Sequence, residues 1–308
     1  SAIQISKARF GTDGATHAVV SRDDTFPDSL AGAPLTADGP LLTTPSSGLS
    51  SAVAAELKRV LPAGATVYLL GGEVALSRSV DRAVRDLGLT PKRLEGETRI
   101  DTALAVADEV RRLFGDTRVV AVARAAGNGD DPDGPAGWVD SVTGGAWAAR
   151  QGVPVIITPT DALPRSVSDW LAADRPDTTI VFGGPVAVSD AVVKALPRAT
   201  RIWGEDRTDT AAAVATQLWG VTPKSSDRQF VVIDGWARDG WRHGLAAAGL
   251  AAEAGAPVLL ANSLSGTQPP STSTLVGACT TSSVDLLLVG DLVDALAGAL
   301  EALDGKSC

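Results

Sequence analysis

The sequence has few of the residues on which several classes of protein depend. It contains two cysteines and two histidines, too few for a zinc site built from paired cysteines. It has no Gly-x-Ser-x-Gly motif, so nucleophilic hydrolysis finds little support. No stretch approaches the roughly 18 uninterrupted apolar residues of a membrane span, and the N-terminus lacks the apolar core of a signal peptide. We therefore expect no membrane insertion, no export signal within this chain, and no metal or cofactor.

Positive charge is also scarce. The formal net charge is −9 and the isoelectric point is about 4.8, which argues against a nucleic-acid partner, because such proteins normally display a basic face. Of the 27 basic residues, 21 are arginine, and the guanidinium group suits phosphate and carboxylate. An anionic partner would therefore have to be held by local groups of arginines.

The two cysteines, Cys279 and Cys308, both lie in the last tenth of the chain. A disulfide between them would close a loop of about 30 residues and contribute roughly 3 kcal/mol to stability. It would also indicate an oxidising, extracellular setting. Two free buried thiols are the alternative.

What the sequence does contain is repetition. The phrase GETRIDTA at 96–103 returns as GEDRTDTA at 204–211. Two other patterns occur three times each, a helix-then-strand segment at 27–44, 139–159 and 242–262, and a strand with a glycine turn at 67–77, 180–190 and 286–296. We therefore predict three repeats, 1–115, 116–225 and 226–308. The first repeat lacks the leading phrase and opens inside the helix that the phrase begins.

Within each repeat, apolar runs alternate with helical stretches. Runs such as 18–20, 41–43 and 67–70 are typical of strands that are covered on both faces. Helical stretches such as 50–60 and 77–87 separate them. This alternation predicts right-handed βαβ units on parallel sheets, so the fold class is α/β.

The repeated phrase predicts the start of a helix. Thr98 and Asp206 are the expected N-caps, each with an aspartate three residues later, as in a capping box. Capping does not explain Arg99 and Arg207, because a cation at a helix N-terminus opposes the macrodipole. Each arginine therefore either pairs with a structural carboxylate or contacts a bound anion.

A second set of candidates follows the first strand of each repeat. Asp28, Asp140 and His243 are aligned, and each comes two residues after an aromatic, Phe26, Trp138 or Trp241. In a parallel sheet this loop lies at the carboxyl edge, where ligands bind. The alternative is that each acid caps the next helix, a role that His243 fits poorly. The candidate ligand-binding residues are Arg99, Arg207, Asp28, Asp140, His243, Trp138, Trp236 and Trp241, and no catalytic residue is predicted.

Two further features have weaker interpretations. Gly71-Gly72 and Gly183-Gly184 could receive a phosphate, but their spacing matches neither the dinucleotide nor the phosphate-loop motif, so simple turns are favoured. The acidic loop with Asp130, Asp131 and Asp133 lacks the EF-hand pattern. A solvated loop is therefore preferred over a calcium site.

Several of these segments together resemble a known family, the cell-wall-binding repeats of type 2 of secreted Gram-positive surface proteins. They are RLEGETRIDTA, RIWGEDRTDTA, the PLLT, PVIIT and PVLLA strands, and the strand followed by Gly-Gly. The resemblance covers nearly the whole chain. It implies three Rossmann-like repeats with pseudo-threefold symmetry, and non-covalent anchoring to an anionic wall polymer through clefts between repeats. Arg99, Arg207, Asp28 and Asp140 match the family's recurrent positions, and a fused effector domain outside this chain is a further implication.

Three functional hypotheses remain at this point. The leading one is a non-catalytic module that anchors a secreted protein at the cell wall or cell surface. Its partner would be an anionic cell-wall polysaccharide or a teichoic-type polymer. The second is a surface protein that binds a protein or another non-wall ligand through the loops around Trp236 and Trp241. The third is a carbohydrate-active enzyme that uses Asp28 or Asp140.

Overall fold

The architecture consists of three separate, fully parallel sheets with helices on their faces. A computed structural model describes residues 2–127, 129, 131, 134–226, 228–277, 283–292 and 294–303. The strands in these ranges are β1 (His17–Arg22), β2 (Leu41–Thr44), β3 (Thr66–Leu70), β4 (Thr90–Leu94), β5 (Val119–Arg124), β6 (Val155–Thr158), β7 (Thr178–Phe182), β8 (Ala199–Ile202), β9 (Arg228–Asp234), β10 (Val258–Ala261) and β11 (Val284–Val289). The helices are α1 (Ala2–Arg9), α2 (Ser51–Val60), α3 (Arg78–Asp86), α4 (Arg99–Phe114), α5 (Val139–Gln151), α6 (Arg165–Asp174), α7 (Asp190–Ala195), α8 (Arg207–Gln217), α9 (Gly240–Ala254), α10 (Pro270–Gly277) and α11 (Asp294–Glu301).

The strands that the three sheets have in common follow the same order. It runs β2-β1-β3-β4 in the first, β6-β5-β7-β8 in the second and β10-β9-β11 in the third. The first strand of each repeat lies inside its sheet, so that Val19 pairs with Leu41 on one side and with Tyr68 on the other. The prediction of three parallel α/β units is confirmed.

Both faces are buried along the first strand of each repeat, which explains its continuous apolar run. Along β1, Val19 faces a core that all three repeats share, whereas Val20 faces a core of the first repeat alone, with Val53 and Leu57 of α2. These side chains are at most 3% exposed. Burying a valine or leucine side chain contributes about 1.5–3 kcal/mol, so both layers stabilise the sheet.

The three repeats meet at the segment that follows the first strand of each. These segments are α5, α9 and a 3-10 helix at Ala33–Thr36, and each contacts the other two. Small residues allow the close approach. Glycine has no Cβ atom, and one added at Gly145 would lie only 2.8 Å from Cβ of Ala33. A Cβ atom added at Gly249 would lie only 2.1 Å from the Thr36 carbonyl oxygen. The repeats are thus arranged with the predicted pseudo-threefold symmetry.

The first of these segments differs from the sequence prediction. A helix was expected within 27–44, as in the other two repeats, but the structure has two short 3-10 helices, Pro27–Ser29 and Ala33–Thr36. Pro34 is the physical reason, because a proline ring inside an α-helix clashes with the preceding turn and removes a hydrogen-bond donor. The strand that follows, β2, lies where it was predicted.

The leading helices close the arrangement into a ring. The helix α4 packs mainly against β6 and α6 of the second repeat, and α8 packs against β10 and α10 of the third repeat as well as against α5. The helix α1 packs in the same way on β2 of the first repeat and also contacts a central helix. That central helix is α9 of the third repeat. Arg9 joins the two sides, since its Nη1 and Nη2 donate to the carbonyl oxygens of Thr36 (2.9 Å) and Ala37 (2.8 Å), and its Nε donates to Glu253 (2.9 Å).

Some predicted features lie outside the described residues. They are Cys279 and Cys308, so the disulfide stays a prediction, and Asp130 and Asp133 of the acidic loop. The third acid of that loop, Asp131, forms an ion pair with Arg238 at 3.4 Å. No helix in the described ranges is long and apolar enough to cross a membrane.

Candidate functional site

The repeated phrase forms the N-terminus of α4 and of α8. Thr98 caps α4 in a full capping box, in which its hydroxyl accepts from the Asp101 N–H and Asp101 accepts from the Thr98 N–H. Asp206 caps α8 by accepting from the N–H groups of Thr208 (2.7 Å) and Asp209 (2.9 Å). In α8 the carboxylate of Asp209 accepts instead from the hydroxyl of Ser271 on α10. The predicted helix starts are confirmed, and α4 has the full capping box.

The two phrase arginines reach into the loop after the first strand of the next sheet. Nη1 of Arg99 donates to the carbonyl oxygen of Ala125 (3.1 Å), and Nη1 of Arg207 donates to that of Gly235 (2.6 Å). The guanidinium of Arg207 also lies 4.9 Å from the ring centre of Trp236. Each arginine therefore fixes a loop at the carboxyl edge of a sheet, a contact that the sequence did not indicate.

The aligned acids and histidine pack against glycines that end the third strand of each sheet. A Cβ at Gly71 would lie 2.6 Å from Oδ2 of Asp28, one at Gly183 would lie 2.4 Å from Oδ2 of Asp140, and one at Gly290 would lie 2.4 Å from Nδ1 of His243. These glycines have φ values of 90°, 98° and 103°, which side chains rarely tolerate. Trp138 and Asp239 stand at the N-cap positions of α5 and α9, without a side-chain capping bond. The capping alternative for Asp140 and His243 therefore finds no support.

Two clefts of the same design result. The first cleft, about 430 Å³, is lined by residues that include Arg22, Asp28, Gly72, Val74, Glu97 and Arg99. The second cleft, about 240 Å³, is lined by the corresponding Arg124, Asp140, Gly184, Val186, Glu205 and Arg207. Each cleft thus joins the carboxyl edge of one sheet to the helix that leads into the next repeat. Val74 and Val186 are 89% and 80% exposed.

In the second cleft, the buried carboxyl group of Asp140 lies near two guanidinium groups. Burial raises the pKa of Asp140 to about 6, although the positive charges of Arg124 and Arg207 oppose the shift. Burial also lowers the pKa of both arginines. Both remain cationic at neutral pH, because arginine starts from a pKa above 12.

The first cleft differs in the partner of its inner arginine. Arg22 forms a two-bond ion pair with Asp24, with Nε–Oδ1 at 2.5 Å and Nη2–Oδ2 at 2.7 Å. In the second cleft, the corresponding Arg124 donates from Nε to the carbonyl oxygen of Ala126 at 2.6 Å. The positive charge of Arg22 is therefore offset by an acid that the second cleft does not have at this position.

The third repeat carries different chemistry at the same positions. Asp234 stands where the other repeats have Arg22 and Arg124, and its carboxylate accepts from the N–H groups of Trp236 (2.8 Å) and Ala237 (3.1 Å). His243 replaces the aspartate, and burial lowers its pKa. This imidazole is therefore neutral at neutral pH.

Two of the three predicted tryptophans lie in the shared core. Trp138 is fully buried and Trp241 is 2% exposed, with Trp241 in edge-to-face contact with Phe26. Trp236 is partly buried beneath Arg207. The aromatic that lines the second cleft is Trp203, which is 45% exposed. The sequence analysis missed it, although it directly precedes the repeated phrase, where the first copy has Glu95.

The fold and the repeated clefts agree with a family comparison. The chain belongs to the cell wall binding domain 2 family, whose model matches residues 1–81, 93–193 and 201–292. The resemblance seen in the repeated phrases is thereby confirmed. Among the described residues, no three histidine, cysteine, aspartate or glutamate side chains are grouped as a metal site.

Individual relatives are longer than this chain. It is 29% identical over 219 residues to the N-acetylmuramoyl-L-alanine amidase LytC of Bacillus subtilis, a match that covers 70% of this chain and 40% of the amidase. It is 26% identical over 200 residues to the amidase enhancer of the same organism, which covers 63% of this chain and 25% of that protein. Among solved structures, Cwp6 from Clostridium difficile has a TM-score of 0.83 at 21% identity and Cwp8 has 0.81 at 25%. Those two matches cover 99% and 98% of this chain, but 46% and 49% of the matched chains.

Proposed function

We propose that this chain is a non-catalytic module that anchors a secreted protein to an anionic polymer of the Gram-positive cell wall. The observation that carries the proposal is the recurrence of one cleft design, with two arginines in each copy. The family assignment supports the cell wall as the target. Two weak sites on one module add along a repeating polymer through effective concentration.

The phrase arginines suit this role because they can hold a loop and a ligand together. A guanidinium group has five N–H donors, and the contact of Arg207 with the Gly235 carbonyl uses one of them. Arginine binds phosphate and carboxylate through charge-assisted hydrogen bonds. We infer that Arg99 and Arg207 contact the acidic groups of the polymer, with Asp28 and Asp140 placing neutral or hydroxyl groups beside them.

The relatives support anchoring rather than catalysis. An amidase and an amidase enhancer differ in what their names describe, yet both match this chain over a minor part of their lengths. We infer that the shared part is the wall-binding part, and that the amidase chemistry belongs to the remainder. An effector fused to this chain would use it in the same way.

The test is co-sedimentation of the purified chain with Gram-positive wall sacculi, before and after hydrofluoric acid removes phosphodiester-linked polymers. We expect binding that weakens with rising salt, because exposed charges are screened, and that disappears after the acid treatment. Sugar release and muropeptide composition are measured in the same samples, and we expect neither to change. Absence of binding to walls of several species would overturn the proposal.

The arginines are tested by the double substitution Arg99→Glu and Arg207→Glu. We expect wall affinity to fall by at least about 10-fold, the equivalent of roughly 1.4 kcal/mol. The control is Arg165→Glu with Arg198→Glu, which changes the net charge equally at side chains that are 93% and 78% exposed and line neither cleft. Full binding by a folded double variant would remove the arginines from the proposed site.

A further inference from the structure

The two clefts differ most at the residue before the glycine of the repeated phrase. In the second cleft it is Trp203, which directly follows β8 and Ile202, and in the first it is Glu95, which follows β4. Trp203 lines the second cleft and is the one aromatic among the strongly exposed large apolar residues of the described chain. Tryptophan is enriched at binding interfaces, because its large ring packs while its N–H finds a polar partner.

The indole is held in place by the backbone beneath it. A Cβ at Gly184 would lie 2.7 Å from Cε3 and 3.3 Å from Cζ3 of Trp203. The six-membered ring therefore packs against Gly184, and any larger residue there would displace it. In the first cleft, a Cβ at the corresponding Gly72 would lie 3.2 Å from Oε2 of Glu95. The second cleft thus has a ring packed against its wall, whereas the corresponding position beside the first cleft is an acid.

The ring and the charges of the second cleft lie at different depths. Arg124 is 6% exposed and forms the floor together with Arg207, whereas Trp203 at 45% forms the rim. A sugar ring has a face of C–H groups that packs on an aromatic ring, because the ring face carries partial negative charge. An acidic substituent on that sugar would then point toward the guanidinium groups.

We propose that Trp203 is the residue by which the second cleft selects its ligand, a pyranose that carries or adjoins an anionic group. This proposal rests on the proposed anchoring function and makes the two clefts unequal. The second cleft binds by ring stacking and charge together. The first cleft has Glu95 at the position of the ring and therefore binds the same polymer more weakly, without stacking.

The test compares Trp203→Ala and Trp203→Phe in the sacculus assay. We expect the alanine variant to bind about 10-fold more weakly, as for loss of one stacked ring, with the same dependence on salt, because no charge has changed. The phenylalanine variant should retain most of the affinity. The control is Leu264→Ala, which removes an 80% exposed apolar side chain outside the clefts.

A gain-of-binding variant keeps the test valid if Trp203→Ala is destabilised. Glu95→Trp places a ring in the first cleft, and we expect it to raise affinity by about 3-fold or more. Equal affinity of wild type, Trp203→Ala and Glu95→Trp would overturn the selection by Trp203 while leaving anchoring intact. Failure of the wild type itself to bind walls would instead overturn anchoring, and this proposal with it.

Discussion

At the scale of single residues, Asp140 shows that the second cleft contains a carboxyl group whose ionised form is destabilised by burial. Its carboxyl group is taken out of water beside Gly183, and the two nearby arginines do not fully compensate, so its pKa rises to about 6. The folded protein therefore holds this proton more tightly than the unfolded chain, whose aspartate titrates near 4. Groups with strongly shifted pKa values are common at binding and catalytic sites, so the raised pKa of Asp140 agrees with a ligand site in this cleft.

Asp140 predicts a specific dependence of stability on pH. Because its folded pKa is raised, its contribution is most favourable below about pH 4 and is lost as pH rises through about 6. We expect Asp140→Asn to be about 1–2 kcal/mol more stable than wild type at pH 7. This is less than the roughly 3 kcal/mol that two pKa units represent, because the substituted amide group also loses water at this site. Denaturant unfolding at pH 4, 5, 6 and 7 checks this, and parallel pH curves for the two proteins would contradict it.

The aromatic residues show where prediction from sequence reached its limit. The positions of Asp28 and Asp140 at a sheet edge followed from the repeat alone, whereas the contacts of the phrase arginines with that edge did not. The burial of Trp138 and Trp241 did not, because Trp138 is covered by Gly240 of the third repeat and Trp241 meets Phe26 of the first. The sequence of a single repeat does not show that its tryptophan is covered by residues of a neighbouring repeat.

At the scale of elements, the joint between repeats is a capped helix start that also forms one wall of a cleft. In α4 the capping box of Thr98 and Asp101 satisfies backbone N–H groups that would otherwise have no partner in the helix. It also fixes the direction in which Arg99 leaves the helix. The cap is therefore part of the geometry of the first cleft.

Removing this cap has a measurable effect. We expect Thr98→Ala to lower the free energy of unfolding by about 1 kcal/mol, the usual effect of losing an N-cap. The control is Thr274→Ala on α10, where the exposed hydroxyl bonds only to a carbonyl oxygen of its own helix and the expected change is within about 0.5 kcal/mol. Urea unfolding midpoints compare the two, and equal midpoints would show that the cap does not stabilise α4.

Prediction of elements succeeded where the pattern and the backbone agreed. The apolar runs identified the strands, and the phrase identified the starts of α4 and α8, since these depend on local chemistry. In 27–44 the small residues have helical spacing, but Pro34 removes a donor and the segment forms 3-10 turns. Helical spacing of small residues indicates which residues share a face, but a proline such as Pro34 can prevent an α-helix from forming.

At the scale of the whole molecule, the shared core makes the three repeats one cooperative unit. The core that contains Val19, Val142, Ile233 and Leu245 draws on all three sheets or their central helices. A repeat separated from the others would expose this surface. We therefore expect one unfolding transition, with a calorimetric enthalpy that equals the van't Hoff enthalpy.

Gly249→Ala tests this cooperativity. The added Cβ would lie 2.1 Å from the Thr36 carbonyl oxygen and 2.2 Å from Nη1 of Arg9, so we expect a loss of about 3 kcal/mol or more, as for overpacked cores. The control is Gly298→Ala in α11, where a Cβ meets nothing within 4 Å and helix propensity predicts a gain of up to about 1 kcal/mol. Calorimetry should show a single shifted peak. Two separate peaks would mean that the repeats unfold independently.

The ring of repeats also determines how the module would respond to mechanical force. Between the first and second repeats, and between the second and third, the backbone itself continues through the joint. Between the third and first, the described residues are held by the packing of α1 on α9 and by the hydrogen bonds of Arg9. Tension that enters through α1 therefore loads this seam first, so the ring would open between the third and first repeats.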